Sequence, residues 1–244
     1  MPNPAECPYE VQRPVMIHHW NTLTFLHWRF EPEAVQRLLP PGLEVDARDG
    51  VAWVGLVPFF MRVGLPGVGS LPWATRFCET NVRTYVRDAA GRSGIWFFSL
   101  DAARMGAVIV ARATYRLPYF WSQMELQIAG SIVRYGCTRR WPGPHGASSR
   151  VAVTVGDRYE SQELTELDHF LTAKWILYSV AGDRRRHAKA QHTPWPLYRA
   201  VATECHDELV QAAGLPKNED PPVVHYSPGV EVRIGRPERD RLSP

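Results

Sequence analysis

The stretch Arg76 to Val86, RFCETNVRTYV, alternates residue by residue between two kinds of side chain. In a strand, successive side chains project to opposite faces, so Phe77, Glu79, Asn81, Arg83 and Tyr85 share one face, and Cys78, Thr80, Val82, Thr84 and Val86 share the other. The second set is an ordinary apolar face. The first lines up a carboxylate, an amide, a guanidinium and a phenol within roughly 13 Å of strand. If that face looks into an enclosed interior, the ionisable groups are desolvated together and bind one another or a ligand. If it looks outward, the same groups are solvated decoration with cross-strand partners.

On either side of this stretch, apolar runs recur with turn residues between them: 17–30, 51–63, 94–101, 107–117, 124–135 and 150–159, rich in Trp, Tyr, Phe, Val and Thr. Such residues fit a pleated surface, and the chain is expected to be strand-dominated. The short link 88–94, DAAGRSG, predicts a hairpin and antiparallel order through the middle of the chain. Helices are predicted over Pro32 to Leu39, opened by the proline and closed by Pro40-Pro41-Gly42, over Gln162 to Lys174, and over Arg199 to Ala213. The segment 182–192, GDRRRHAKAQH, reads as a polar connector, and Val223 to Ile234 as a final strand or two. The expected architecture is one mainly β domain over 17–236, a closed or nearly closed antiparallel barrel with a few peripheral helices. It carries a leader over 1–16 and a tail over 237–244.

Composition bounds the function. The 244 residues are 45% hydrophobic and 22% charged, which suffices for a real core, and the net charge of +3 is too small and dispersed for a nucleic-acid footprint. Cys7, Cys78, Cys137 and Cys205 lack the spacing of a zinc or redox pair, and the apolar stretch 51–61 is too short to span a bilayer. A soluble cytoplasmic protein with no membrane or nucleic-acid partner is expected, and exposed strand edges would permit a homo-oligomer. There is no phosphate-binding glycine loop, the glycines of 63–70 being interrupted by proline, and no G-x-S-x-G. His18 and His19 are neighbours on a strand and point oppositely, which is poor ligand geometry, so neither a metal nor a cofactor is expected. The triplet Arg184 to Arg186 reads as solvated surface.

A second candidate lies at 111–121, ARATYRLPYFW, where strand alternation sets Arg112, Thr114 and Arg116 opposite the apolar residues and Pro118 ends the ladder. Arg112 would hold an acidic ligand or lock Glu79. Alternation also places Ser99 and Asp101 on the face of Ile95 and Phe97, as a site or a turn cap. The only lysines are Lys174, Lys189 and Lys217, so any Schiff base must use one of them. Lys174 shares the inward stripe of its helix, though a lysine at a helix end ordinarily snorkels to water.

Several motifs together resemble the YqjF-like family, a domain of unknown function related to the acetoacetate decarboxylase-like superfamily. They are Phe25-Leu26-His27-Trp28, Leu39-Pro40-Pro41-Gly42-Leu43, 52–59 (AWVGLVPF), 79–86 (ETNVRTYV), 94–101 (GIWFFSLD), Leu117-Pro118-Tyr119 and His169-Phe170-Leu171-Thr172. The resemblance covers about 17–234 and implies a mainly antiparallel β-barrel with a ligand cavity inside. Decarboxylases of that superfamily use a lysine next to a proline. The corresponding proline here looks like Pro118, which is followed by Tyr119 and Phe120, so the resemblance argues against a carbinolamine route. Glu79 is similar in placement to a barrel glutamate of those enzymes, and Arg29 to their early arginine.

The expected function is therefore a barrel that binds a small oxo acid or carbonyl compound and works as a lyase or isomerase by acid–base chemistry. Glu79, Arg83, Arg112 and Tyr119 would be catalytic, and Asn81, Tyr85, Trp53, Trp121 and Arg29 would bind the substrate. The competing expectation is a non-catalytic ligand-binding or structural protein in which the same polar face forms a salt-bridge network.

Overall fold

The computed structural model describes residues 5–64, 75–181 and 184–241. In chain order the strands are β1 (Met16–Phe30), β2 (Leu43–Val45), β3 (Ala52–Gly64), β4 (Arg76–Asp88), β5 (Ser93–Ala102), β6 (Tyr119–Ala129), β7 (Ile132–Trp141), β8 (Ser148–Arg158), β9 (Ile176–Ala181), β10 (Arg184–Gln191), β11 (Tyr198–Asp207), β12 (Val223–Ile234) and β13 (Glu238–Arg241). The α-helices described in full are α1 (Pro32–Gln36), α2 (Met105–Tyr115), α3 (Glu166–Thr172) and α4 (Leu209–Ala212), and Ser161–Glu163 form a 3₁₀ turn.

These strands form one mainly β sheet that curls partly into a ring. From β5 the pairings run through β6, β7, β8, β11, β12, β1, β3 and β4, and β4 pairs with β5 again. A shorter path joins β5 to β12 through β9 and β10. Strands β12, β1, β3, β4 and β5 are common to both closed paths, and the shared strands carry apolar residues on both faces. Leu26, Leu56 and Val82 pack on one side with Val133 and Val153. Leu23, Phe25, Val57 and Phe59 pack on the other with Val232 and Ile234.

The hairpin across 88–94 is present, with β4 and β5 antiparallel. Antiparallel order does not hold throughout, because β5 pairs in parallel with both β6 and β9. Parallel neighbours need a crossover, and α2 supplies the one between β5 and β6. That helix occupies most of the run 107–117, expected as a strand. Its Val108-Ile109-Val110 core suits either state, while the alanines around it and the tertiary crossover favour the helix.

Other segments differ for comparable reasons. The run 124–135 is two strands, β6 and β7, turned at Gly130, whose φ of 60° suits a residue without a Cβ. The connector 182–192 is largely strand β10, seated between β9 and β13, so the expected tail from 237 contributes sheet as well. Most of the predicted helix 199–213 is strand β11, paired with β8; only Leu209–Ala212 is helical. The predicted helix 162–174 is split into a 3₁₀ turn and α3, and α1 stops at Gln36. Of the glycine-bearing stretch 63–70, residues 65–70 lie outside the described residues.

Candidate functional site

The face of β4 that bears Phe77, Glu79, Asn81 and Arg83 looks into a cavity of about 490 Å³, as the alternation in 76–86 requires for an inward face. Strands β1, β3, β5, β6, β9, β10 and β12 contribute to the rest of the wall, with α2 across one side. Glu79 is 2% exposed. The Tyr119 hydroxyl donates to Glu79 Oε2 at 3.0 Å. Burial pushes the Glu79 carboxyl up to about 8, against the Tyr119 hydrogen bond and with help from the charge of Asp101. The Tyr119 hydroxyl is itself pushed well above its ordinary value by burial and by Glu79.

Arg83, 5% exposed, has no carboxylate partner among the described residues. Its Nη2 donates weakly to the Leu171 carbonyl at 3.4 Å and the Tyr85 hydroxyl at 3.5 Å, and its Nε has no partner. The guanidinium lies 5.2 Å from the centre of the Phe25 ring. Asn81 Oδ1 is likewise buried without a donor. A buried guanidinium nitrogen and a buried amide oxygen without partners are costly, and here they belong to two side chains that line the cavity.

A short hydrogen-bond chain fixes Arg83 from behind. Leu171 lies in the last turn of α3, where carbonyls have no partner inside the helix, so its oxygen is free for side chains. The Tyr85 hydroxyl donates to it at 2.5 Å and meets His27 Nε2 at 2.6 Å. Since the Tyr85 proton goes to Leu171, His27 must donate from Nε2, which leaves Nδ1 bare. Burial, then the charge of Arg83, holds the His27 imidazole well below its usual range, consistent with this neutral tautomer. Gly55, paired with both His27 and Arg83 across the sheet, makes room for the imidazole. A Cβ there would stand 2.9 Å from its ring.

Of the nine residues singled out from the sequence, Glu79, Asn81, Arg83 and Tyr119 converge on the cavity. Tyr85 lies directly behind Arg83. Arg112 stands on α2 rather than on a strand. It does not line the cavity, and its Nη1 donates to the Tyr119 carbonyl at 2.7 Å, bracing that residue's backbone. Trp53 is buried in a cluster with Tyr85 and Leu171, the exposed Arg29 covers it 5.5 Å from its ring centre, and neither reaches the cavity. Trp121 is half-buried and also absent from the lining.

Ser99 and Asp101 do not share the face of Ile95 and Phe97. Val82 pairs with Ser99 and Arg83 with Phe97, so Phe98 is an inserted residue that flips the alternation. Lys174 does not snorkel. It is buried, donating from Nζ to Ser93 Oγ at 2.9 Å and Asp46 Oδ2 at 3.3 Å. Burial pushes its ammonium down to about 8 against the attraction of Asp46, but it stands outside the cavity lining.

Sequence reasoning missed the roles of His27, of His18 and Arg186 in the lining, and of Leu171. His27 was accessible by alternation from Leu23 and Phe25. Arg186 was not, because its strand reads as a connector. Among the described residues no group of His, Cys, Asp or Glu is arranged to hold a metal ion, and no helix is long and apolar enough to cross a membrane.

The DUF2071 family, described as an uncharacterized conserved protein, matches residues 18–231. The uncharacterized protein YqjF of Bacillus subtilis (strain 168) is 31% identical over 219 residues, 89% of each chain. Among solved structures, an acetoacetate decarboxylase-like enzyme from Sphingomonas wittichii RW1 superposes with a TM-score of 0.64 at 12% identity, covering 96% of both chains. The enduracididine biosynthesis enzyme MppR complexed with pyruvate gives 0.62 at 14% identity, covering 97% of this chain and 95% of that one. The acetoacetate decarboxylase of Legionella pneumophila gives 0.61 at 12% identity, covering 96% and 92%. At such identities these structures establish a shared fold.

Proposed function

The chain belongs to the DUF2071 family, and on the geometry of its cavity we propose that it binds a small oxo acid and moves a proton next to the carbonyl, as a lyase or isomerase does. The observation that carries this reading is Arg83: a buried guanidinium with no carboxylate partner among the described residues, facing a cavity in which Glu79 is the nearest acid along its own strand. The ligand's carboxylate supplies the missing counter-charge, through a pair that a planar guanidinium makes well. That fold relatives include a protein complexed with pyruvate supports the same ligand class. On this reading the curled sheet serves as a barrel around its ligand.

Glu79 then works as the acid–base group. In its ionised form it takes the proton from the carbon beside the carbonyl. The electron pair of that C–H bond moves to the carbonyl oxygen, giving an enolate, and the protonated Glu79 returns the proton to carbon. Its carboxyl, raised to about 8, suits both directions near neutral pH. Tyr119, whose hydroxyl already holds Oε2, keeps Oε1 available to the substrate. No lysine lines the cavity among the described residues, so this chemistry uses no Schiff base.

The rival reading is a buried polar network that turns over nothing, and the bonds from Arg83 to Leu171 and Tyr85 speak for it. Deuterium exchange into the carbon beside the carbonyl of 2-oxo acids in D₂O, followed by NMR, separates the two. The proposal expects exchange catalysed by the protein, lost in Glu79→Gln at an unchanged or higher melting temperature. No exchange and no oxo-acid binding, with a large fall in melting temperature for Glu79→Gln, would establish the structural network instead.

A further inference from the structure

The site just proposed accounts for one strand face, but most of the wall is of another kind. Across β3 and β4, Gly55 pairs with Arg83, Phe59 with Glu79 and Met61 with Phe77, and Met61 pairs onward with Trp20 of β1. From Arg83 to Phe77 is six residues of strand, about 20 Å. One end of that length carries the Arg83 guanidinium, which has no carboxylate partner among the described residues, and Glu79 lies between. The far end is walled by Phe77, Met61, Trp20 and Val63. Trp20 is held rigid by edge packing on Phe59, 6.0 Å between ring centres, and by stacking on Trp195 at 6.1 Å.

Volume points the same way. At roughly 30 Å³ per water-sized group, a cavity of about 490 Å³ takes about sixteen non-hydrogen atoms. A three-carbon oxo acid on Arg83 leaves most of it empty. Water does not fill such a space well, because an apolar wall offers it few hydrogen-bond partners. Apolar ligand surface that enters a preformed, poorly hydrated pocket gains free energy from every methylene desolvated.

Resting on the oxo-acid reading, we propose that the substrate is amphipathic: a carboxylate and carbonyl held by Arg83 and Glu79, continued by a medium-length hydrocarbon chain or ring that lies against Trp20, Met61 and Phe77. The apolar half of the cavity is then a specificity pocket and selects against pyruvate-sized acids.

Calorimetric titration with pyruvate, 2-oxobutanoate, 2-oxohexanoate and 2-oxooctanoate tests this, alongside octan-2-one as the same chain without the charge. Affinity is expected to rise about fourfold per added methylene, with an increasingly negative heat-capacity change, and octan-2-one to bind at least tenfold more weakly than 2-oxooctanoate. Ala107→Trp on α2, which lines the cavity, should cost 2-oxooctanoate tenfold or more and leave pyruvate unchanged. Val63→Trp, at the far apolar end, is the second filling variant should the first fail to fold. Equal affinity for pyruvate and 2-oxooctanoate, or filling variants that weaken both alike, overturns the amphipathic substrate while the oxo-acid site stands. Failure of every acid in the series to bind, at wild-type heat stability, removes the oxo-acid reading as well.

Discussion

Two buried carboxylates sit back to back in this protein. Thr80 pairs with Asp101 and Glu79 with Ala102, so Asp101 and Glu79 occupy neighbouring positions of one sheet and point to its opposite sides. On one side the charges close on each other. Arg139 reaches Asp101 through two bonds, Nε to Oδ1 at 2.8 Å and Nη2 to Oδ2 at 2.7 Å, Ser122 Oγ adds a third at 2.8 Å, and Phe120 covers the guanidinium at 3.7 Å. Both charged partners are at most 1% exposed, and neither has a buried side-chain atom left without a partner. On the other side Glu79 and Arg83 share a face, yet neither hydrogen bond nor ion pair joins them, and polar atoms of Arg83 and Asn81 stay unsatisfied at a cavity. Burial is common to both; what separates structure from candidate site is whether the charges have already been spent on one another.

The comparison predicts opposite responses to mutation. The largest effect is expected on the closed side. Arg139→Met leaves Asp101 buried without its counter-charge and should lower unfolding free energy by about 3–5 kcal/mol in a denaturant titration, with much of the loss recovered by also replacing Asp101 with Asn or Leu. A loss below about 1 kcal/mol would mean that this pair behaves like an exposed one.

On the open side, the sign depends on pH. The Glu79 carboxyl stands at about 8 in the folded protein against an ordinary 4.5, so the folded state holds a proton that the unfolded state has released between those values. Stability is therefore complete below about 4.5 and falls as pH climbs through 8. Glu79→Gln should remove this slope and be the more stable protein at pH 9 by about 2–4 kcal/mol, with little difference at pH 5. Melting curves across that range check it, and a variant less stable than wild type at pH 9 would place Glu79 among the structural groups.

Next in size is Arg83→Leu, expected to weaken oxo-acid binding by about 100-fold, or about 2–3 kcal/mol for a charged hydrogen-bonded contact, while changing unfolding free energy by no more than about 1 kcal/mol. A large destabilisation with unchanged binding would make Arg83 the counterpart of Arg139. The smallest effect belongs to Tyr85→Phe. Loss of the hydroxyl leaves His27 Nε2 without its partner and the Leu171 carbonyl with only the weak bond from Arg83, at about 1–2 kcal/mol of stability. Oxo-acid affinity should fall only a few-fold, because Arg83 keeps its charge and its contact with Phe25.

The open side was legible in the sequence and the closed side was not. Alternation over 76–86 puts Glu79, Asn81 and Arg83 on one face because a regular strand has a period of two, and β4 is regular. Its neighbour β5 carries a bulge at Phe98, and one inserted residue was enough to transfer Asp101 from the cavity face, where simple alternation put it, to the Arg139 side. No residue type in GIWFFSLD announces a bulge. Arg112 was misplaced for a related reason: in ARATYR the alternation of charge and small apolar residues fits a strand, whereas α2 is dictated by the need to carry the chain from β5 to a parallel partner. Strand β10, RRRHAKAQ, was hidden by its charges. Arg185 is buried because the Gly42 carbonyl, at 2.5 Å, and Asp88 meet it, partners contributed by distant parts of the chain.

Residue types and their spacing were enough to show that the chain is mainly β, which residues of β4 share a face, and that Tyr119 and Phe120, not lysine, follow Pro118. These properties are local: they depend on the period of a strand and on which side chains exist. That Glu79 and Arg83 look into a cavity while Asp101 is locked to Arg139 emerges in the folded sheet alone, since whether a buried charge is paired depends on strands that are remote in sequence and adjacent only once the sheet has curled.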